Sequence, residues 1–149
     1  MSQIRITKQF NFETGHALYG YDGKCKNVHG HSYKLNVTVI GKPINDSKNV
    51  KNGMVIDFGD LKKIVKEEIV DKFDHATVLN KNTPHLELAE ELIKREHNVI
   101  LVEYQPTSEQ MIIDFAQKIK ARLPQEIKLH SLRLQETETS FAEWFASDN

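Results

Sequence analysis

His16, Cys25, His29 and His31 stand close together near the start of the chain. Neutral imidazoles are favoured ligands of Zn²⁺, and three of them leave one tetrahedral position open to water or substrate. That openness separates catalytic zinc from closed structural zinc. Cys25 lies four residues before His29, between Lys24 and Lys26. Nearby cations and a metal favour the thiolate, so this side chain is a candidate to take and return a proton near neutral pH. Its other possible role is that of a small buried hydrophobe, which a polar loop disfavours.

The elements around these residues must bring them together. From Ile4 to His16 the pattern has a period of two, with Ile4, Ile6, Phe10, Phe12 and His16 on one parity; this is a half-buried strand. Gly20, Asp22, Gly23 and Asn27 favour turns. A second alternating run follows, in which His29 and His31 share the parity of Tyr33, Leu35, Val37 and Val39. An antiparallel return across the Tyr19 to Asn27 loop brings His16 alongside them. A lone His-X-His is a weak motif, but three histidines agreeing in parity, with Gly30 allowing close backbone approach, make a stronger case. His85, His97 and His130 have no such support.

Asp57 can cap a helix whose apolar positions Leu61, Ile64, Val65 and Ile69 run to about Lys72. Thr107 with Gln110 forms a capping box ahead of a second helix that Pro124 stops. Between them, Leu86 to Glu96 reads as a shorter helix and Val99 to Tyr104 as a short strand. Ile127 to Glu136 and Ser140 to Phe145 read as two further strands. This order predicts an α+β fold with helices on one face of an antiparallel sheet. The 149 residues suit one domain.

Other residues with chemical potential lie further along. Asp74 and His75 offer the parts of a proton relay, although such a pair after a helix also serves as a cap or a surface pair. Glu136 shares parity with Leu132 and Leu134. A carboxylate on the covered face needs donors, and a ligand with an amidine-like N–H edge supplies two. Glu109 is a second candidate, although an acidic residue in the first turn of a helix also suits the helix dipole.

With 20 basic and 21 acidic residues spread along the chain, there is no electrostatic footprint for nucleic acid or an anionic membrane. No segment approaches the length needed to span a bilayer. The lone cysteine cannot form an internal disulfide, consistent with a reducing, cytoplasmic setting. A small molecule is the expected partner.

Taken together, these blocks resemble the 6-pyruvoyltetrahydropterin synthase superfamily, and within it the queuosine-pathway branch. The resemblance rests on Phe10 to Leu18 carrying His16, the Cys-x3-His-Gly-His block from Cys25 to His31, Val55-Ile56-Asp57-Phe58, Phe73-Asp74-His75, Pro106-Thr107-Ser108-Glu109 and Glu136-Thr137. It implies the tunnelling fold, with a four-stranded antiparallel sheet, helices on one face, and trimers that close into a barrel and commonly stack as hexamers with active sites between subunits. It also implies a zinc-dependent lyase acting on 7,8-dihydroneopterin triphosphate to give 6-carboxytetrahydropterin, acetaldehyde and triphosphate. In that scheme His16, His29 and His31 hold zinc, Cys25 transfers protons, and Asp74 and His75 form the partner relay. Glu136 anchors the pterin, with Thr107, Ser108 and Glu109 binding nearby.

Two features depart from the family pattern. Thr14-Gly15 stands where a small pair such as Ala-Ala is usual, and the Lys81 to Gln105 segment is long. The pyruvoyl-forming branch uses the same substrate but typically a longer spacer between cysteine and His-Gly-His, and a folate-pathway variant replaces the cysteine with glutamate. A cupin-like barrel would place a glutamate where Leu35 or Asn36 stands. A zinc-braced binding module would need a fourth protein ligand, for which Cys25 is the only candidate.

Overall fold

The computed structural model describes residues 2–149. Its strands are β1 (Ile4–His16), β2 (His29–Gly41), β3 (Ala76–Asn80), β4 (Val99–Val102), β5 (Lys128–Thr137) and β6 (Ser140–Phe145). Its helices are α1 (Phe58–Val65), which runs through a π-helical segment (Lys66–Val70) into α2 (Asp71–Phe73), then α3 (His85–Lys94) and α4 (Ser108–Lys120). β1 and β2 pair antiparallel along their whole length, from Ile4 opposite Gly41 to His16 opposite His29. On the inner parity Phe10, Phe12, Thr14 and His16 of β1 are buried with Tyr33, Leu35, Val37 and Val39 of β2.

The sheet corrects the expectation of four antiparallel strands. Among the described residues it has six, in the order β4-β3-β1-β2-β5-β6, and it is mixed: β1 with β3 and β3 with β4 run parallel. The unforeseen strand is β3. Ala76, Val78 and Leu79 are all buried, so this short central segment is covered on both faces and shows no two-residue alternation. In β5 the pairing with β2 shifts between Leu129 and Ser131, leaving His130 as an extra residue. That bulge lets odd-numbered Leu129 and even-numbered Leu132 and Leu134 all reach the core.

The two longest helical runs begin at the foreseen caps. The Asp57 side chain accepts from the Gly59 N–H and the Thr107 hydroxyl from the Gln110 N–H. The N–H of Thr107 bonds to the Gln105 carbonyl, so the reciprocal half of the capping box is not used. The π-helical segment adds a residue to the turn. It brings Ile69 and Val70 both inward, and after them Phe73.

α1, its continuation and α4 cover one face of the sheet, where Phe115 meets Phe12 at 6.1 Å and Phe73 at 5.0 Å between ring centroids. α3 covers the other face at the β3–β4 end, because Leu79 packs with Ala17 and Ala89 while its neighbour Val78 belongs to the main core. The expectation of helices on one face therefore fails for α3. No helix among the described residues is long and apolar enough to cross a membrane.

Phe115 joins α4 to β1 and to the end of the α1–α2 run. Phe115→Ala is expected to lower the unfolding free energy by about 3–5 kcal/mol in chemical denaturation. Val50→Ala, on the exposed loop after β2, should stay within about 0.5 kcal/mol of the parent.

Candidate metal centre and ligand cleft

The register that sets His16 opposite His29 also sets Thr14 opposite His31. The three imidazoles therefore share one face at one end of the sheet, and one ring nitrogen from each lies within 4.8 Å of the others. Their rings approach from different directions, with interplanar angles of 90° for His29 and His31 and 81° for His16 and His31. Thr14 shares this face, and its hydroxyl donates to the Phe73 carbonyl at 2.9 Å. Gly15 and Gly30 oppose each other on the far side; a Cβ on Gly30 would sit 3.3 Å from the Thr14 carbonyl oxygen, which explains the small residues there.

Two backbone carbonyls set the tautomers. Nδ1 of His16 lies 2.6 Å from the Pro106 oxygen, and Nδ1 of His29 lies 2.7 Å from the Asn27 oxygen. A carbonyl only accepts, so each Nδ1 carries the proton and each neutral ring presents a lone pair at Nε2. Those two Nε2 atoms are 3.0 Å apart. Neither has a proton to share, so the contact is repulsive until a cation lies between them. Nε2 of His31 is buried and has no hydrogen-bond partner among the described residues. The donor set fits a divalent cation of the zinc type, and among the described residues no fourth protein ligand joins the cluster.

Burial holds the His16 and His31 imidazoles below their ordinary pKa, with the neighbouring His29 acting in the same direction. The Pro106 carbonyl opposes this shift at His16, as the Glu136 carboxylate does at His31. Both rings are thereby kept in the unprotonated, ligating form.

His16 also forms part of a cleft of about 590 Å³ that is lined by Cys25, Thr107, Ser108, Glu109 and Glu136. Cys25 sits on a single 3₁₀ turn (Lys24–Lys26), tied down where the Leu18 N–H donates to the Cys25 carbonyl at 3.0 Å. Ser108, at the start of α4, donates from its hydroxyl to Oε2 of Glu136 at 2.7 Å, and Oε1 of Glu136 lies 3.6 Å from Nε2 of His31. The Thr107 hydroxyl is engaged in the helix cap. Glu109 is exposed at the cleft.

Asp74 and His75 are placed elsewhere. Asp74 accepts the Glu13 N–H at 2.9 Å through Oδ1, and its Oδ2 lies 3.0 Å from Nδ1 of His75. The Glu13 N–H, followed by His75, holds the Asp74 carboxyl below its usual pKa. His75 has a φ of 59° and its side chain is 76% exposed. His75 lines a second depression together with Glu13, Gly15, Gly30, His31 and Ser32. Within one chain the pair does not line the cleft that holds Cys25.

Three contributors were not marked as functional by the sequence pattern. Pro106 and Asn27 act through backbone carbonyls, which no side-chain pattern reports. Tyr33, taken for an ordinary strand residue, is fully buried beside the histidines, with its ring 5.5 Å from that of His31. Burial first, then the Glu136 carboxylate and Cys25, push its phenol well above the ordinary tyrosine pKa.

The depressed histidines give metal-free protein a defined acid sensitivity. Folding favours the neutral rings, so their contribution is present above the ordinary pKa of 6.5 and is lost as the pH falls through and below it. The Tm of metal-stripped protein is expected to fall between about pH 7 and pH 5, and replacing His16 by Gln should flatten that dependence in a thermal scan.

The family model described as 6-pyruvoyl tetrahydropterin synthase matches residues 5–146. A Haemophilus influenzae protein named 6-carboxy-5,6,7,8-tetrahydropterin synthase is 38% identical over 142 residues, covering 95% of this chain and 98% of its own. A Rickettsia typhi protein of the same name is 32% identical, over 94% of this chain and 99% of its own. Among solved structures, an uncharacterized Wolinella succinogenes protein superposes with a TM-score of 0.79 at 21% identity, over 98% of this chain and 99% of that one. The Caenorhabditis elegans 6-pyruvoyl tetrahydropterin synthase does so with a TM-score of 0.69 at 22% identity, over 98% and 97% of the two chains. A family match over nearly the whole chain, with relatives above 30% identity along their full length, establishes that this chain belongs to the 6-pyruvoyl tetrahydropterin synthase family.

Proposed function

We propose that this chain is a zinc-dependent carbon–carbon lyase that converts 7,8-dihydroneopterin triphosphate to 6-carboxy-5,6,7,8-tetrahydropterin, acetaldehyde and triphosphate, in queuosine biosynthesis. The observation that carries this reading is the convergence of three neutral imidazoles at the edge of a cleft that also holds Cys25 and the Ser108–Glu136 pair. The names of the Haemophilus and Rickettsia relatives point to the same reaction.

His16, His29 and His31 would hold the metal. Once bound, it supplies Lewis-acid polarisation of the substrate's side-chain hydroxyls. Glu136 accepts the paired N–H groups of the pterin's amino-pyrimidine edge. Ser108 holds Oε2 in place behind it, and a carboxylate has lone pairs enough for both. Thr107 and Glu109 border the same cleft. Cys25 is the acid/base group, taking a proton at Sγ from the substrate side chain and returning it.

Asp74 and His75 form the opposite relay, supplied by a neighbouring copy of the chain. Their position outside the Cys25 cleft supports this reading, as do the edge strands β4 and β6, whose open backbone edges are available for pairing between copies. The working form would then be a barrel-closing trimer or a hexamer, and the setting cytoplasmic, where a lone thiol stays reduced.

The pyruvoyl-forming reaction, which eliminates triphosphate from the same substrate, is the second reading. The three-residue spacer between Cys25 and His29 favours the carboxy product. Mass spectrometry of the products from zinc-loaded protein separates the two, with 6-carboxytetrahydropterin and acetaldehyde expected. A pyruvoyl product would establish the second reading.

Purified protein is expected to hold about one zinc per chain. Cys25→Ala should keep that zinc and lose turnover by at least about a hundredfold, whereas His29→Ala should lose the metal itself. Mixing inactive Cys25→Ala and His75→Ala chains, followed by subunit exchange, should restore activity to about a quarter of the parent level. No recovery would place both groups in one chain.

A further inference from the structure

Tyr33 is a polar residue in an apolar position. It is fully buried, it stacks on Phe12 with ring centroids 5.6 Å apart and 19° between planes, and its hydroxyl has no hydrogen-bond partner among the described residues. Leaving a buried hydroxyl unpaired destabilises a fold, because the group has lost its water and gained no partner. Phenylalanine would fill the same space without that cost, so stability alone does not account for the oxygen.

Sheet geometry places this oxygen beside Glu136. β2 and β5 pair as far as Lys34 opposite Gln135 and Leu35 opposite Leu134; Tyr33 and Glu136 follow directly beyond that last pair, where β5 bulges against β6. Both continue the inner parity of their strands, and the Glu136 carboxylate acts on the Tyr33 phenol. Ser108 already donates to Oε2 of Glu136, and Nε2 of His31 faces Oε1 at 3.6 Å. Once that histidine nitrogen is turned to a metal, no donor to Oε1 remains among the described residues, and the unpaired phenol can supply one.

We infer that Tyr33 is a positioning residue for ligand binding: its hydroxyl donates to Oε1 of Glu136 from the core side, while Ser108 holds Oε2, so that the carboxylate's outward lone pairs face the pterin N–H edge. The carboxylate is then clamped from behind by two hydroxyls, one from β2 and one from α4. A pterin meets a prearranged acceptor instead of one that must first be ordered. This inference rests on the reading of Glu136 as the pterin anchor.

The test titrates 7,8-dihydropterin into zinc-loaded parent protein, Tyr33→Phe, Glu136→Gln and the double variant, with zinc content and Tm measured on each. Tyr33→Phe is expected to keep its zinc, to match or exceed the parent Tm, and to bind about tenfold more weakly. In turnover the loss should fall on KM more than on kcat. In the Glu136→Gln background the same change should alter Kd by less than about twofold, because a residue acting through Glu136 has nothing left to position. Parent-like binding by Tyr33→Phe, with Glu136→Gln clearly weakened, overturns this inference alone. An equal loss in both backgrounds, or a lowered Tm, also overturns it and assigns Tyr33 to packing. Parent-like binding by Glu136→Gln overturns the anchor reading itself, and the Tyr33 inference with it.

Discussion

The antiparallel register between β1 and β2 is the constraint on which the candidate centre depends. His16 faces His29 only because the pairing runs unbroken from Ile4 opposite Gly41. A slip of one residue would turn every side chain of one strand to the other face of the sheet. Such a slip would also expose Phe10 and Phe12, which are buried with Tyr33 and Leu35. The hydrophobic core thus fixes the geometry of the histidines: burying the aromatic rows and aligning the imidazoles are the same event.

The polar end of that core is built against a cost. Three imidazoles, a phenol and a carboxylate crowd one end of the sheet, where burial disfavours charge on His16 and His31. The partners that limit the cost come from two places, the residues just before β2 and the start of α4. Pro106 and Asn27 fix two tautomers through carbonyls, and Ser108 fixes the carboxylate through its hydroxyl. Pro106 and Ser108 flank the cap of α4, so that one helix start orients both His16 and Glu136. The position of α4 depends in turn on Phe115 packing against Phe12 and Phe73.

The π-helical segment has a related consequence beside the same end of the sheet, where Thr14 pairs with Ala76 on one side and His31 on the other. It brings Phe73 into the core and leaves Asp74 and His75 just beyond it, on a turn that β1 grips through Glu13. The N–H of His75 also bonds to the Glu13 carbonyl at 2.6 Å. His75 adopts a left-handed conformation, unusual for a residue other than glycine, and this backbone bond together with the Asp74 contact holds it there. These contacts tie the pair to β1 and leave the His75 side chain facing outward.

Residue types and periodicity alone determined a good part of this protein. Alternation places His16, His29 and His31 on the core side of two strands, because adjacent residues in an extended chain must point to opposite faces. Local chemistry likewise marks the caps at Asp57 and Thr107, where a short oxygen-bearing side chain meets an unpaired helical N–H. Tertiary structure alone decided the rest. β3 has no alternation because it is covered on both faces, and α3 crosses to the far face because Leu79 and Val78 serve different cores. The tautomers of His16 and His29 depend on carbonyls, which every residue possesses and no sequence pattern distinguishes. The separation of Asp74 and His75 from Cys25 depends on which side of β1 the chain passes after the π-helical segment. Periodicity reports the direction of a side chain within its own element, whereas the meeting of distant elements is set by packing.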